Sequence, residues 1–450
     1  MHTQKNDQHH YNSHLAEVNK VQDVLTTEDI RNEQGQLLLP AGTAVDARAT
    51  EQILKFKLLK PLDNSVSIDG QLDSESLYLA HRELFLSDDQ LRELWLDYNN
   101  EDELNALCAA LLDLPLVLQK LTVLKLQLPE VFRQALFCAW LAQWLYREKD
   151  IDERTEIYIA ALLHDIGLLH IDPELLDKDK RTNAAQWRQW QSHPLIAEKI
   201  VSSCEALSKS CARAVAEHHE KLDASGYPAG LISKQISKEA QLLSLLDEVW
   251  HYYFDIFKPR KRGFHDIIPA LQMNQNYRNN SDAAALLLLF KNMPASEDCS
   301  THPAFMEPMI DFVLDKYRYV ETFLLSTGSL NKSLGFQHGE KKLLGMQNIL
   351  LHIHVSIARS GLINKAYMRW LEQVRQQKLA HAYREVEDVS LMLSIIANYC
   401  EQFQHTLAVF IEEEKQHPKI DELKKLEAEL AQLHRPELSH ELAEQVMELA

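Results

Sequence analysis

Apolar positions along most of this chain recur at helical spacing. Ile157, Ala160, Ala161 and His164 fall on one stripe, and Ala212, Val215, Ala216 and His219 on a second. Ala240, Leu243, Asp247, Trp250 and Phe254 form a third. Residues three or four apart share a helix face, so each stripe predicts a helix with an inward side. Each stripe also carries a polar group that apolar surroundings do not tolerate without a partner. Leu107 to Leu126 reads as a core helix pair broken near Pro115, and Tyr383 to Glu414 as one long helix. Ile420 to Leu433, with Glu and Lys at pair spacing, suits a solvated helix or a coiled-coil edge.

The rhythm differs over residues 15–70. Asp29-Ile-Arg-Asn-Glu-Gln-Gly-Gln predicts a turn, and Leu37-Leu-Leu-Leu-Pro-Ala-Gly-Thr a short strand and a second turn. Ala47 to Leu59 predicts a helix and Ser65-Val-Ser-Ile a last strand, together a small α+β module. Residues 1–14 are polar and predict a disordered tail. Residues 71–128 read as a helical connector, with helix starts at Ser87-Asp-Asp-Gln and Asn100-Glu-Asp-Glu. The expected fold is mainly α: an all-helical domain over 129–263, preceded by the α+β module and followed by a C-terminal helical region, 264–450.

Composition narrows this. A chain of 450 residues exceeds one ordinary core. With 46% hydrophobic residues it is not wholly disordered, and 12 glycines and 14 prolines argue against a turn-rich all-β fold. A net charge of −19 speaks against general nucleic-acid binding. It leaves room for a small phosphate ligand in a metal-filled pocket, where the ion reverses the local sign. The six cysteines are scattered without a C-x-x-C pair, the N-terminus is no signal peptide, and the longest apolar run, Ala283 to Phe290, is too short to span a bilayer. These features predict a cytoplasmic protein with reduced thiols and no membrane span.

The candidate chemistry sits at the ends of the stripes. His164-Asp165 closes the first, and Gly167 follows, placed to let the backbone turn away from a site. Pro194 suits the first position of a helix, which puts His193 at its cap. His218 and His219 differ in direction by about 100°, so they address different faces of one cluster. A single His on a helix is usually a packed or surface residue, and His170, His251 and the His9-His10 pair read that way. The order H-D, H-P, H-H, Gly226-Tyr227-Pro228, then Asp247, is far more specific. Divalent ions would partner all of these groups, and mixed imidazole and carboxylate donors suit Fe, Mn or Zn better than calcium.

This order resembles the HD-GYP family, a branch of the HD phosphohydrolases that hydrolyses cyclic di-GMP, over roughly residues 130–260. His164-Asp165 matches the H-D motif. Lys178 with Thr182 and Trp187 resembles the family's K-P-x-x-L-T-x-x-E-W stretch. His193-Pro194, His218-His219-Glu220, Asp223-Ala-Ser-Gly226-Tyr227-Pro228 and Asp247 follow in order. The resemblance implies an HD-type helical core around two or three divalent ions, Fe or Mn foremost and Zn next. It implies His164, Asp165, His193, His218, His219 and Asp247 as ligands, with Asp165 bridging two ions. It implies a metal-bridging hydroxide as nucleophile, with His164 and Asp165 at the catalytic centre, and a product that is the linear dinucleotide or GMP in bacterial second-messenger signalling. Lys258, Arg260 and Lys261 resemble a shifted form of the family's R-P-Y-R segment. With Lys178 they read either as phosphate contacts or as a solvated charge cluster. The loop of Asp223, Gly226, Tyr227 and Pro228 reads either as a tight structural turn or, by the resemblance, as a contact for GGDEF-domain proteins. The C-terminal helices are compatible with a homodimer.

Two positions depart from the family pattern. Leu168 stands where it has Lys after H-D-I-G, and Gln134 stands where it has His on the preceding helix, with Glu130 one turn before. Three readings stay open. An active cyclic di-GMP phosphodiesterase is favoured by six retained polar groups. A degenerate domain that senses the nucleotide or binds a protein is favoured by Leu168 and Gln134. A phosphohydrolase of another nucleotide is the third, because the motif specifies metal chemistry and says little about the base.

Overall fold

The computed structural model describes residues 3–177, 180–181, 183–273, 280–296, 299–335, 340–362 and 364–447. The chain divides into two compact units, Met1–His219 with Ser237–Leu246, and Glu220–Ile236 with Asp247–Ala450. It is predominantly helical, with a small strand module near the N-terminus and a helical extension at the other end.

The first unit opens with α1 (Thr3–Val18), then β1 (Val24–Thr26), β2 (Ile30–Arg31), β3 (Leu37–Leu39), α2 (Ala47–Ile53) and β4 (Val66–Ile68). The disordered tail expected over 1–14 is thus corrected: most of it is helix. Tyr11, Leu15 and Val18 are buried. The Tyr11 ring stacks on His170 at 4.9 Å, with Lys120 Nζ 3.9 Å from its centroid. That apolar face anchors a segment whose average composition is polar. β1 pairs antiparallel with β4 (Val24 opposite Ile68), and β2 with β3. α2 stops at Ile53, short of the expected Leu59. The backbone beyond it pairs instead with the β2 edge, through Leu59 N to Arg31 O and Glu33 N to Lys57 O.

Next come α3 (Ser74–Leu86), α4 (Asp89–Tyr98), α5 (Glu101–Ala109), α6 (Pro115–Gln127), α7 (Pro129–Leu145) and α8 (Ile151–Leu163). α9 (Ala184–Trp190), α10 (His193–Ser202) and α11 (Lys209–Glu217) follow. Side-chain caps start several of them, Asp73 for α3, Asp88 for α4 and Asn100 for α5. α7 and α8 pack together, and α10 packs on α11 and on the 3-10 turn Ile166–His170. This nest of helices positions the candidate site. A buried ion pair, Lys120 Nζ to Asp63 at 2.8 Å, ties α6 to the strand module.

α12 (Lys238–His251) runs through the boundary, its last residues belonging to the second unit. The second unit holds α13 (Ile268–Met273), α14 (Asn280–Lys291), α15 (Met306–Leu334), α16 (Lys341–Ser360), α17 (Lys365–Gln377), α18 (Tyr383–Glu413), α19 (Ile420–Leu430) and α20 (His440–Met447). α18 is the long helix the periodicity predicts, and it packs on α15, α16 and α19. Among the described residues no helix is long and apolar enough to cross a membrane.

Candidate metal centre

Three helix ends converge in the first unit. α8 finishes at Leu163, with His164 as its C-cap and Asp165 just beyond. Ser192 caps α10, so His193 is the first residue of that helix, one position further in than expected. α11 finishes at Glu217, with His218 as its C-cap. Because the helix stops there, the expected inward role of His219 passes mainly to His218, which is fully buried while His219 is half-buried.

The three deep imidazoles are oriented by one device. His164 Nδ1 lies 2.7 Å from Ala161 O, His193 Nδ1 2.8 Å from Trp190 O, and His218 Nδ1 2.6 Å from Val215 O. A carbonyl oxygen only accepts, so each Nδ1 carries the proton and each Nε2 presents a lone pair. Orienting a ring through its far nitrogen is how metal-binding histidines are held.

Those lone pairs point at Asp165. His193 Nε2 and His218 Nε2 approach Oδ1 at 3.1 and 3.3 Å, and His164 Nε2 approaches Oδ2 at 3.3 Å. His219 Nε2 comes within 3.1 Å of His193 Nε2. One ligand atom each from Asp165, His193, His218 and His219 lies within 4.8 Å of the others. Asp165 Oδ1 and His218 Nε2 are buried and make no hydrogen bond of acceptable geometry. Burial raises the Asp165 carboxyl, and positive charge on the imidazoles, His164 foremost, would hold it well below the usual carboxylate range; with the rings neutral, a bound cation is what supplies that charge. Burial pushes the His218 imidazole down, against the pull of Asp165. An ionised carboxylate faced by the lone pair of a neutral imidazole is stable only with a cation between them. Four converging N and O donors fit a divalent transition metal, and the spacing is that of ligands around a common ion.

Gly167 has a different purpose from the expected turn. A Cβ there would overlap the His193 carbonyl oxygen and lie 2.9 Å from its carbon. The glycine lets the turn after Asp165 sit against the start of α10, which brings His193 to the carboxylate. Gln134 is buried on α7, and its Nε2 is 3.5 Å from Asp165 Oδ2, a long and weak contact. Leu168 is buried, its amide closing the turn onto Asp165 O at 2.9 Å.

The remaining expected residues are distributed as follows. Lys178 and Thr182 lie outside the described residues. Asp247 stands in the last turn of α12, in the second unit, 3.4 Å from His251 Nε2. His251 also contacts Asp255 at 2.9 Å. Lys258 lies over the Phe254 ring at 5.1 Å, and Lys261 is exposed. Arg260 is buried, and burial lowers its pKa. The loop with Asp223, Gly226, Tyr227 and Pro228 also belongs to the second unit. Tyr227-Pro228 is cis, and Asp223 Oδ1 accepts from Ser225 N at 3.0 Å.

Two features went unforeseen. Trp190, besides accepting from His193, packs its ring 5.4 Å from the His193 ring and 6.1 Å from that of His219. Arg181 lies 4.3 Å over Trp190 and 4.7 Å over Trp187, a cation held on two indoles. The tryptophan pair three residues apart just before His193 was the available signal. Glu220, directly after the histidine pair, accepts from Ala229 N at 2.6 Å and Leu231 N at 2.8 Å, stapling the loop.

Residues 118–283 match the HD domain family. A 3'3'-cGAMP-specific phosphodiesterase 3 of Vibrio cholerae serotype O1 is 37% identical over 103 residues, 22% of this chain and 22% of that protein. The chain belongs to the HD-GYP-like branch of the HD superfamily. Two further relatives are similar over part of their length. A cyclic di-GMP phosphodiesterase of Pseudomonas aeruginosa is 29% identical over 110 residues, 24% of this chain and 26% of its own. One of Thermotoga maritima is 31% identical over 121 residues, 26% and 33% respectively. The chain thus spans only about a quarter of the length of the relatives it matches first.

Proposed function

We propose that this protein is a metal-dependent phosphodiesterase acting on a cyclic dinucleotide. One observation carries the reading: a buried, ionised Asp165 encircled by three imidazoles whose Nε2 lone pairs face it. Such a cluster is built for divalent cations. His164, Asp165, His193, His218 and His219 would hold them, with Asp247 as the further ligand that the motif order assigns. Ions bound there supply an activated water and neutralise the phosphodiester charge. The chain's own contributions are separate. The carbonyls of Ala161, Trp190 and Val215 fix the imidazole tautomers. Gly167 closes the distance between Asp165 and His193. Trp190 packs against the His193 and His219 rings. Lys178, Lys258, Arg260 and Lys261 are the cations assigned to substrate phosphates. Fe or Mn is the expected metal, with Zn next.

The relatives' names include both 3'3'-cGAMP and cyclic di-GMP, which supports the class of cyclic dinucleotide more than one base pair of it. Cyclic di-GMP is the substrate we propose, in second-messenger signalling, with GGDEF-domain proteins as partners of the loop. A second reading rests on Gln134, whose neutral amide occupies the place expected for an imaginary fifth imidazole beside Asp165, and on Leu168. It is a domain that binds the nucleotide without turning it over.

The test is purification without chelators, metal analysis per chain, and incubation with cyclic di-GMP and 3'3'-cGAMP. Linear dinucleotide or mononucleotide products, lost in His164→Ala and Asp165→Ala, support the enzyme. Nucleotide binding with metal present and no product supports the sensor. A protein without metal after loading with Mn or Fe refutes both.

A further inference from the structure

The loop between His219 and α12 is a closed ring. Ser233 N bonds Leu222 O at 2.9 Å, Asp223 bridges Ile232, and Glu220 staples Ala229 and Leu231. Its Asp223–Ala224 corner rests on α16. Asn348 Nδ2 donates to the Asp223 carbonyl. At Gly345 a Cβ would lie 2.5 Å from the Ala224 carbonyl oxygen, so only glycine admits the loop this closely. Ala224 has φ +65°, a left-handed backbone that a side-chain-bearing residue keeps only where its surroundings hold it. The ring is therefore held against α16. At its other side, the chain leads from Glu220 straight into His219 and His218.

We propose that Gly345 and Asn348 are positioning residues for the His218–His219 pair: they seat the ring that follows the pair, so the C-terminal helices govern how it is presented. The inference rests on reading that pair as part of a metal centre, and it gives the region 264–450 a function at the site. Asn348 meets the loop at the Asp223 carbonyl and Gly345 at Ala224, so their effect passes through the loop.

The experiment is amide exchange by mass spectrometry on the full chain, with Asn348→Ala and Gly345→Ala against Leu351→Ala, a control on an exposed position of the same helix. Both seat variants are expected to raise exchange over residues 217–224 by about tenfold, and the control to leave it unchanged. Their Mn2+ affinity, read by competition with a chelating dye, is expected to fall at least about threefold. The inference is overturned if exchange at 217–224 stays at the wild-type rate, if it rises only along α16, or if it rises while Mn2+ affinity is unchanged. A wild-type protein that binds no Mn2+ sinks the metal-centre reading instead, and exchange at 217–224 then decides the inference alone.

Discussion

Two buried carboxylates, one in each unit, have opposite surroundings. Glu387 on α18 accepts from Ser300 N at 3.0 Å, Ser300 Oγ at 2.7 Å, Thr301 N at 2.6 Å, Thr301 Oγ1 and Arg262 at 3.0 Å. Burial would raise its pKa, but those donors hold it below the ordinary value. Asp165 is as deeply placed, yet its neighbours at 3.1–3.3 Å are imidazole nitrogens whose far side already spends the proton. A carboxylate that the chain satisfies by itself is a structural strut. One surrounded by further lone pairs is half of a site whose other half comes from outside.

The contrast can be broken most directly by charge removal at each place. Asp165→Asn should lower Mn2+ affinity at least about hundredfold, since a first ligand is worth more than the outer partners that cost ten- to a hundredfold. Glu387→Gln should leave it unchanged. Equal losses in calorimetric titrations would show that the two carboxylates are not different in kind. Stability should rank the other way. Glu387→Ala leaves Arg262 buried beside orphaned donors and should cost about 3 kcal/mol in denaturant unfolding, whereas metal-free Asp165→Ala should cost less.

Gly167→Ala sharpens the comparison at the backbone. The added methyl meets the His193 carbonyl, so about 1–3 kcal/mol of strain is expected, together with a roughly tenfold loss of metal affinity as His193 is pushed from Asp165. Wild-type affinity in that variant would show that the close approach does not matter. Gln134→His tests the weakest member of the ring: an imidazole in place of the amide should raise affinity by up to about tenfold. A fall would place that side chain away from the ions.

The smallest effect is on pH. The folded pKa of His218 is lowered from 6.5 and that of Glu387 from 4.5. In both cases the unfolded chain takes up protons first on acidification, so stability falls as pH falls. The metal-free first unit should begin to lose stability below about pH 6.5, and the Glu387 contribution only below about pH 4.5. Bound Mn2+ should delay the first loss and leave the second. Unfolding midpoints followed against pH, with and without metal, would reveal a single shared step if the idea is wrong.

The candidate donors were legible because helical spacing sends His164 and the end of the α11 stripe inward, and no apolar interior keeps such groups without a partner; which member of the His218–His219 pair lies deepest was not. The long helix over 383–413 and the strands Leu37–Leu39 and Val66–Ile68 were legible for the same local reason. The N-terminal helix was not, because its polar average hides one anchoring face around Tyr11. Gly167 reads from sequence as a turn residue, since nothing near it in the chain reveals a backbone 26 residues ahead (Gly167 to His193).

What the sequence by itself determined is the inventory: which side chains could bind a cation, in what order, and on which helix faces. Spacing along one helix carries that information, because periodicity is a property of a single segment. Tertiary structure alone decided which histidine of the pair goes deepest, why glycine stands at 167 and 345, and that the loop after the pair rests on α16. Each depends on the distance between segments far apart in the chain, and that distance is set by packing, which no local pattern encodes.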